Sequence, residues 1–127
     1  MTPDRAKAKS LAETARGRVN FLKEIALKES NASFIFEGYY SSALELLHAL
    51  VLVKGFKVIN HICIGYYLRD VLKREDLFRL FDDCRYKRNS IVYYGRKLDF
   101  NVARESIKKA VRLIEQTGLL LESELKL

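Results

Sequence analysis

Apolar residues recur every three or four positions along most of the chain, the spacing that places side chains on one face of an α-helix. We predict a first helix from Pro3 to about Lys28, a second from Ala32 to Lys54, a third from Val58 to Lys73 and a fourth from Glu75 to Gly95. A last helix follows, capped by Asp99 or Asn101. No run of residues has a convincing strand pattern.

Each long helix has one apolar stripe that we expect to be buried. The stripes are Ala8, Ala12, Ala15, Val19, Leu22 and Ala26; Phe36, Tyr40, Ala43, Leu47, Leu50 and Val53 or Lys54; Leu77, Phe81, Cys84, Arg88, Ile91 and Gly95; and Ala103, Ile107, Ala110, Ile114, Thr117 or Gly118, and Leu121. Long helices with short connections pack antiparallel. The prediction is an all-α, up-and-down bundle of four to five helices, forming one domain over residues 1–127.

The fourth stripe has an arginine, Arg88, where a leucine would be expected. A guanidinium keeps its charge, so a buried one must be paired or must face a cleft or a partner surface. The second helix carries a polar pair, Glu45 and His48, on an otherwise apolar segment. We predict that Glu45 pairs with Arg88 and that His48 is hydrogen-bonded nearby, with Asp70 as the alternative partner of the arginine.

The same polar pair raises the question of a metal site, because Glu-x-x-His is how helical bundles present ligands to two metal ions. No second Glu-x-x-His occurs, and neither Cys63 nor Cys84 has partners at zinc-binding spacing. We therefore expect no metal and no cofactor. The polar N-terminus and the absence of an apolar run of about 20 residues lead us to expect a cytoplasmic protein with no membrane association.

A polar strip lies beside Arg88: Arg85, Asn89 and Tyr93 follow one another at four-residue steps. The two arginines could contact phosphate, Asn89 could hold a base edge, and Tyr93 and Tyr94 could stack on a base. The chain carries 23 Lys and Arg against 16 Asp and Glu, a formal charge of +7 that favours anionic partners such as RNA or a nucleotide. A solvated surface with a basic bias is the alternative.

The segment Arg88-Asn89-Ser90-Ile91-Val92-Tyr93 resembles the signature of the HEPN domains, in which an Arg, commonly followed by Asn, precedes a His by a few residues. The resemblance extends over nearly the whole chain, through its length, its helix order, and the second helix with Tyr39-Tyr40-Ser41-Ser42-Ala43. The chain is most similar to the small stand-alone prokaryotic type, often found beside a minimal nucleotidyltransferase. The resemblance implies a homodimer and a possible nucleotidyltransferase partner.

The resemblance also implies a catalytic role that this chain does not fully match. In active HEPN domains the Arg and the His form a metal-independent ribonuclease site, usually where two subunits meet. Arg88 matches that Arg, but Tyr93 stands at the His position and no His follows His61. A tyrosine, with a pKa of about 10, is a poor general base at neutral pH. Gly95 stands where some family toxins carry a modified tyrosine, which leaves Tyr94 as a displaced candidate.

Three hypotheses follow. In the one we favour, the chain is a non-catalytic module that binds a nucleotide, RNA or a nucleotidyltransferase through Arg85, Arg88, Asn89, Tyr93 and Tyr94. In the second, it is a ribonuclease that uses Arg88 together with Tyr93, Tyr94 or a distant histidine such as His48. In the third, Arg88 is a purely structural residue paired with an acidic side chain.

Overall fold

The computed structural model describes residues 4–56 and 60–125. In these residues the chain forms five α-helices and no strand, which confirms the predicted all-α bundle. The helices are α1 (Arg5–Lys23), α2 (Ala32–Val53), α3 (His61–Tyr66), α4 (Glu75–Tyr94) and α5 (Phe100–Leu125), with a π-helical turn over Tyr67–Val71 after α3. The predicted starts of the first and third helices, at Pro3 and Val58, lie outside the described residues.

The first helix ends earlier than the sequence pattern predicts. α1 stops at Lys23, so the predicted end near Lys28 is wrong. The side chain of Asn31 accepts a hydrogen bond from the Lys28 N–H (2.8 Å) and donates one to the Ala26 carbonyl (3.0 Å). These bonds satisfy backbone groups in a turn, which competes with continuing the helix.

The predicted third helix, Val58 to Lys73, is also wrong as a continuous α-helix. The Asn60 side chain caps a short α3 by accepting from the Cys63 N–H (3.0 Å). The π-helical turn then widens the coil, and Lys73 adopts a left-handed φ of 57°, which stops the helix before α4. The short α3 begins at His61.

The loop between α4 and α5 has clear local causes. Gly95 takes the left-handed conformation (φ 62°) that glycine tolerates, and the Arg96 N–H bonds the Ser90 carbonyl (3.1 Å). The Asp99 side chain accepts from the Asn101 N–H (3.2 Å), so of the two predicted caps it is Asp99 that starts α5. The predicted fourth helix is thus confirmed, and the chain reverses over residues 95–99.

The helices form an up-and-down bundle. α1 packs antiparallel to α2, since the Asp4 N–H near the start of α1 donates to the Leu52 carbonyl near the end of α2 (3.3 Å). α2 and α5 run in parallel, and Lys54 and Glu124 form an ion pair of 2.6 Å at their C-terminal ends. None of the helices in the described residues has the length and apolar character needed to span a membrane.

The core lies between α1, α2, α4 and α5, and most of the predicted stripe residues are in it. Buried members of the four stripes are Ala8, Ala12, Ala15, Leu22, Phe36, Tyr40, Ala43, Leu47, Leu50, Val53, Leu77, Phe81, Cys84, Ala103, Ala110, Thr117 and Leu121. Ala26, Lys54 and Gly95 are exposed because they lie beyond the ends of their helices. Burial raises the pKa of the Cys84 thiol to about 12, which makes it a neutral packing residue.

The stability of α4 should depend on Phe81, which is 1% exposed and stacks on Tyr40 with ring centroids 6.1 Å apart. We expect Phe81→Ala to lower the free energy of unfolding by about 3–5 kcal/mol because it leaves a cavity. The matched control is Tyr86→Ala on the same helix, where the side chain is 69% exposed, with an expected change within about 0.5 kcal/mol. Urea unfolding of both variants checks this, and equal losses would contradict the assigned core.

Candidate functional site

A cleft of about 290 Å³ opens between the start of α3 and the second half of α4. The residues lining it are Asn60, His61, Ile62, Arg85, Arg88, Asn89 and Tyr93. Four of the five predicted binding residues therefore meet at one place. The fifth, Tyr94, is not among these lining residues, and its side chain is 72% exposed at the end of α4.

Arg88 is half-buried, and its guanidinium lies against two aromatic rings. Its central carbon is 5.9 Å from the Tyr40 ring centroid and 5.7 Å from that of Tyr93, within the range of cation–π attraction. Among the described residues no carboxylate lies within ion-pair distance of it and no side chain or backbone group accepts its N–H donors. The guanidinium therefore keeps donors that a ligand in the cleft could use.

The other arginine of the cleft is already paired. Arg85 donates to the Asp82 carboxylate one turn earlier on α4 (3.0 Å), with both side chains partly exposed. Asn89 adds an amide that can donate or accept, and no acidic residue is among those lining the cleft. Net positive charge and an excess of donors make an anion the ligand class that this lining suits.

The predicted pairing of Glu45 with Arg88 is wrong. Glu45 instead accepts two hydrogen bonds from Arg18 of α1, one of them 3.2 Å long. The antiparallel packing of α1 on α2 brings these two side chains together, whereas Arg88 reaches α2 beside Tyr40. The alternative partner, Asp70, is bound by Arg69 next to it in the chain (2.9 Å).

The predicted supporting residue His48 also lies elsewhere. It lines a small cavity of about 120 Å³ together with Lys7, Leu11 and Phe56, among others. Burial, and then the charge of Lys7, lower the pKa of His48, so it is neutral at pH 7. Glu45 and His48 are thus part of the packing between α1 and α2 and do not line the Arg88 cleft. In the described residues no cluster of three or more His, Cys, Asp or Glu could hold a metal ion.

The cleft contains a histidine that the sequence patterns did not single out. His61 is the first residue of α3. Its Nδ1 atom shares one hydrogen bond with the Tyr40 hydroxyl, and the two atoms are 2.9 Å apart. Burial, and then the Arg88 charge, lower the pKa of His61 below its usual value of about 6.5. His61 is therefore a neutral imidazole at pH 7, and Nε2 is the nitrogen left to meet a ligand.

The burial of Tyr40 decides which way this hydrogen bond runs. Tyr40 is 1% exposed, and burial raises the pKa of its hydroxyl, which therefore keeps its proton. Within the described part of the chain, His61 is its hydrogen-bond partner, so the hydroxyl donates to Nδ1 to avoid burying an unsatisfied O–H. In that tautomer Nε2 carries the proton and donates. The imidazole then adds one more donor to the cleft.

Sequence reasoning missed Asn60, His61 and Ile62 because the helical period of α4 says nothing about which other element covers it. One signal was available, since His61 is one of only two histidines in the chain and directly follows an Asn suited to capping a helix. A larger cavity of about 690 Å³ lies between α1 and α5, lined in part by Arg16, Glu122 and Leu119. Its charges are of both signs, so the Arg88 cleft is the better candidate for binding an anion.

The new pairing of Glu45 can be tested by double-mutant cycles. Arg18→Ala and Glu45→Gln should be coupled by about 0.5–1 kcal/mol in the free energy of unfolding, as for a half-exposed ion pair. Arg88→Ala and Glu45→Gln should be additive within about 0.5 kcal/mol, because these residues do not touch. Urea unfolding of the single and double variants gives both values. A larger coupling for the Arg88 cycle would restore the hypothesis of a structural Arg88–Glu45 pair.

The protonation of His61 should depend on Arg88. Arg88→Gln removes a positive charge that lowers the pKa of His61, so that pKa should rise, while burial still holds it below about 6.5. NMR titration of the imidazole C–H signals measures the change. A His48→Gln background leaves His61 as the single histidine and assigns the signal. An unchanged pKa in the Arg88→Gln protein would place the guanidinium away from His61.

Comparison with known proteins adds no family to these observations. No model of a known protein family matches the chain. No curated protein matches it either. The chemistry that the cleft could support is therefore inferred from the residues that form it.

Proposed function

We propose that this chain is a HEPN-like module that binds a phosphate group of a nucleotide or of RNA in the Arg88 cleft, without cleaving it. The observation that carries the proposal is the Arg88 guanidinium, which lies against two tyrosine rings and has no acidic partner among the described residues. A half-buried cation with unused donors is unfavourable by itself. A phosphate would supply both the opposite charge and the missing acceptors.

The surrounding residues suit a phosphate ester. Arginine binds phosphate through two parallel N–H donors, a geometry that its planar guanidinium fits. The amide of Asn89 and the Nε2–H of His61 are further donors in the same lining. Tyr93, 69% exposed, offers a ring face on which a base or sugar could lie. A cleft of about 290 Å³ is at the small end for ligand sites, which fits one phosphate with part of one nucleoside.

The hydrogen bond between Tyr40 and His61 supports binding over cleavage. A general base needs an unprotonated nitrogen, and the inferred tautomer places the proton on Nε2, the nitrogen that a ligand would meet. Tyr93 stands at the motif His position and carries a phenol, and no carboxylate is among the residues lining the cleft. The Nε2–H of His61 and the Tyr93 phenol therefore offer hydrogen-bond donors to a ligand and no general base.

A ribonuclease is the second candidate, favoured by the presence of a histidine in the same cleft as Arg88. His61 could take the role for which Tyr93, Tyr94 and His48 are the sequence-based candidates. It would act as a base only in the other tautomer, with Nδ1–H donating to the Tyr40 oxygen. That arrangement leaves the Tyr40 proton without a partner among the described residues, so we place this function second.

Partners belong to the proposal as well. The resemblance to HEPN domains leads us to propose a homodimer and, as a second partner, a minimal nucleotidyltransferase. Tyr93 and Tyr94 are about 70% exposed at the end of α4 and are available to such a partner. The cleft faces solvent on the same helix, so a second subunit could extend it.

Binding and cleavage can be measured in one assay. The purified protein is incubated in EDTA with fluorescently labelled single-stranded RNA, followed by anisotropy for binding and gel electrophoresis for cleavage. We expect binding with intact RNA, and we expect Arg88→Gln to raise Kd about 10- to 100-fold, the value of one charge-assisted contact. Arg79→Gln on the exposed face of α4 is the matched control for loss of one charge and should change Kd less than about threefold.

The outcomes separate the hypotheses. Cleavage that is lost in both Arg88→Gln and His61→Gln would replace the binding module with a ribonuclease. Equal weakening by Arg88→Gln and Arg79→Gln would mean that only the overall charge attracts RNA, and the proposed cleft would be wrong. Absence of both binding and cleavage would also overturn the proposal and leave a protein partner as the remaining ligand class.

A further inference from the structure

The surface of α3 continues the cleft in one direction. Ile62 lines the cleft and is 49% exposed, and Tyr66 lies four residues further along and is 50% exposed. Residues four apart are neighbours on the same side of a helix. An apolar surface therefore leads from the cleft along α3 to the Tyr66 ring, at a distance of about 6 Å along the helix axis. This axial distance is comparable with the spacing of successive nucleotides in an unstacked single strand.

The Tyr66 ring is held in place by a neighbouring cation. The guanidinium carbon of Arg69 is 5.1 Å from the Tyr66 ring centroid and 5.2 Å from that of Phe78. Two hydrogen bonds from Arg69 to the Asp70 carboxylate, of 2.9 and 3.2 Å, fix the guanidinium and offset its charge. Arg69 thus supports the ring and is not left to bind a phosphate itself. A supported, half-exposed tyrosine is a suitable surface for stacking a base.

Arg69 lies over both Tyr66 and Phe78, which places Tyr66 beside the first half of α4, whereas Tyr93 is in the last turn of that helix, at the opposite end of the cleft. The Tyr93 ring lies 5.7 Å from the Arg88 guanidinium and is 69% exposed. The described surface therefore runs in the order Tyr93, Arg88, Ile62, Tyr66: a ring, a cation, an apolar side chain and a second ring. Proteins that bind single strands combine a cationic groove with aromatic side chains in this way, because every base has a face that can stack.

We propose that the ligand of this site is a single-stranded nucleic acid segment of at least two nucleotides, and not a mononucleotide. The inference rests on the proposed phosphate binding at Arg88. One phosphate lies on Arg88, the base on one side of it stacks on Tyr93, and the base on the other side passes Ile62 and stacks on Tyr66. A duplex is excluded, since its bases are already stacked and paired. The residues that carry the chemistry do not distinguish RNA from DNA.

The test compares ligands of increasing length. Kd values are measured by calorimetry for adenosine 5′-monophosphate, for single-stranded adenine hexamers of RNA and of DNA, and for a hexamer in a duplex. The hexamer of at least one type should bind about tenfold or more tightly than the monophosphate, since each stacked base contributes about 1–3 kcal/mol, or roughly 5- to 150-fold. The duplex should bind no more tightly than the monophosphate.

Variants of Tyr66 locate the second base. Tyr66→Ala should weaken hexamer binding about tenfold and change monophosphate binding less than twofold, while Tyr66→Phe should keep hexamer binding because the ring remains. Tyr86→Ala is the control, an exposed tyrosine outside the lining of the cleft, and should change neither. Circular dichroism checks that each variant is folded. We expect the Tyr66 variants to fold because this side chain is half-exposed.

The failures are distinguishable. In one outcome, monophosphate binding depends on Arg88, but the hexamer binds no more tightly than the monophosphate or its Kd is unchanged by Tyr66→Ala. That outcome overturns the single-strand inference and leaves the proposed phosphate site in place. Equal binding of duplex and single strand also overturns it. If neither ligand depends on Arg88, the proposed function itself is wrong.

Discussion

The burial of the Tyr40 hydroxyl is the constraint on which the rest of this structure depends. Tyr40 is 1% exposed and packs against Phe36 and Phe81, with ring centroids 6.4 and 6.1 Å away. A buried hydroxyl without a partner would cost about 1–3 kcal/mol. His61 supplies the partner from α3, and Arg88 lies over the same ring from α4. Contacts with this one core side chain thereby position α3 and α4, the two sides of the cleft, relative to each other.

Two arginines show how differently this bundle treats the same side chain. Arg18 and Arg88 are both half-buried beside apolar stripes, yet Arg18 meets Glu45 across α1 and α2, whereas Arg88 meets the faces of two rings. Cation–π contacts contribute about 0.5–1 kcal/mol each at such sites, which only partly offsets the loss of hydration. Packing therefore leaves Arg88 with donors that its two aromatic contacts do not satisfy. The proposed anion would supply an acceptor and a negative charge.

Much of the fold was readable because helices depend on local spacing and on capping side chains. The ends of α2 and α4 and the start of α5 followed from the stripe pattern, from Gly95 and from the two candidate caps, Asp99 and Asn101. The ends of α1 and of the third helix did not, since a turn closed by Asn31 and a π-helical turn interrupt a pattern that remains apolar. At both places local backbone structure ended the α-helix although the apolar periodicity continued.

The sequence by itself determined that the chain is an α-helical bundle and that Arg85, Arg88, Asn89 and Tyr93 lie together on α4. It could do so because residues three and four apart on one helix are neighbours in any fold. Only the tertiary structure decided that His61 faces them and that Glu45 does not. Such pairings depend on how helices far apart in sequence are rotated and shifted against one another, and packing of the whole core sets that geometry.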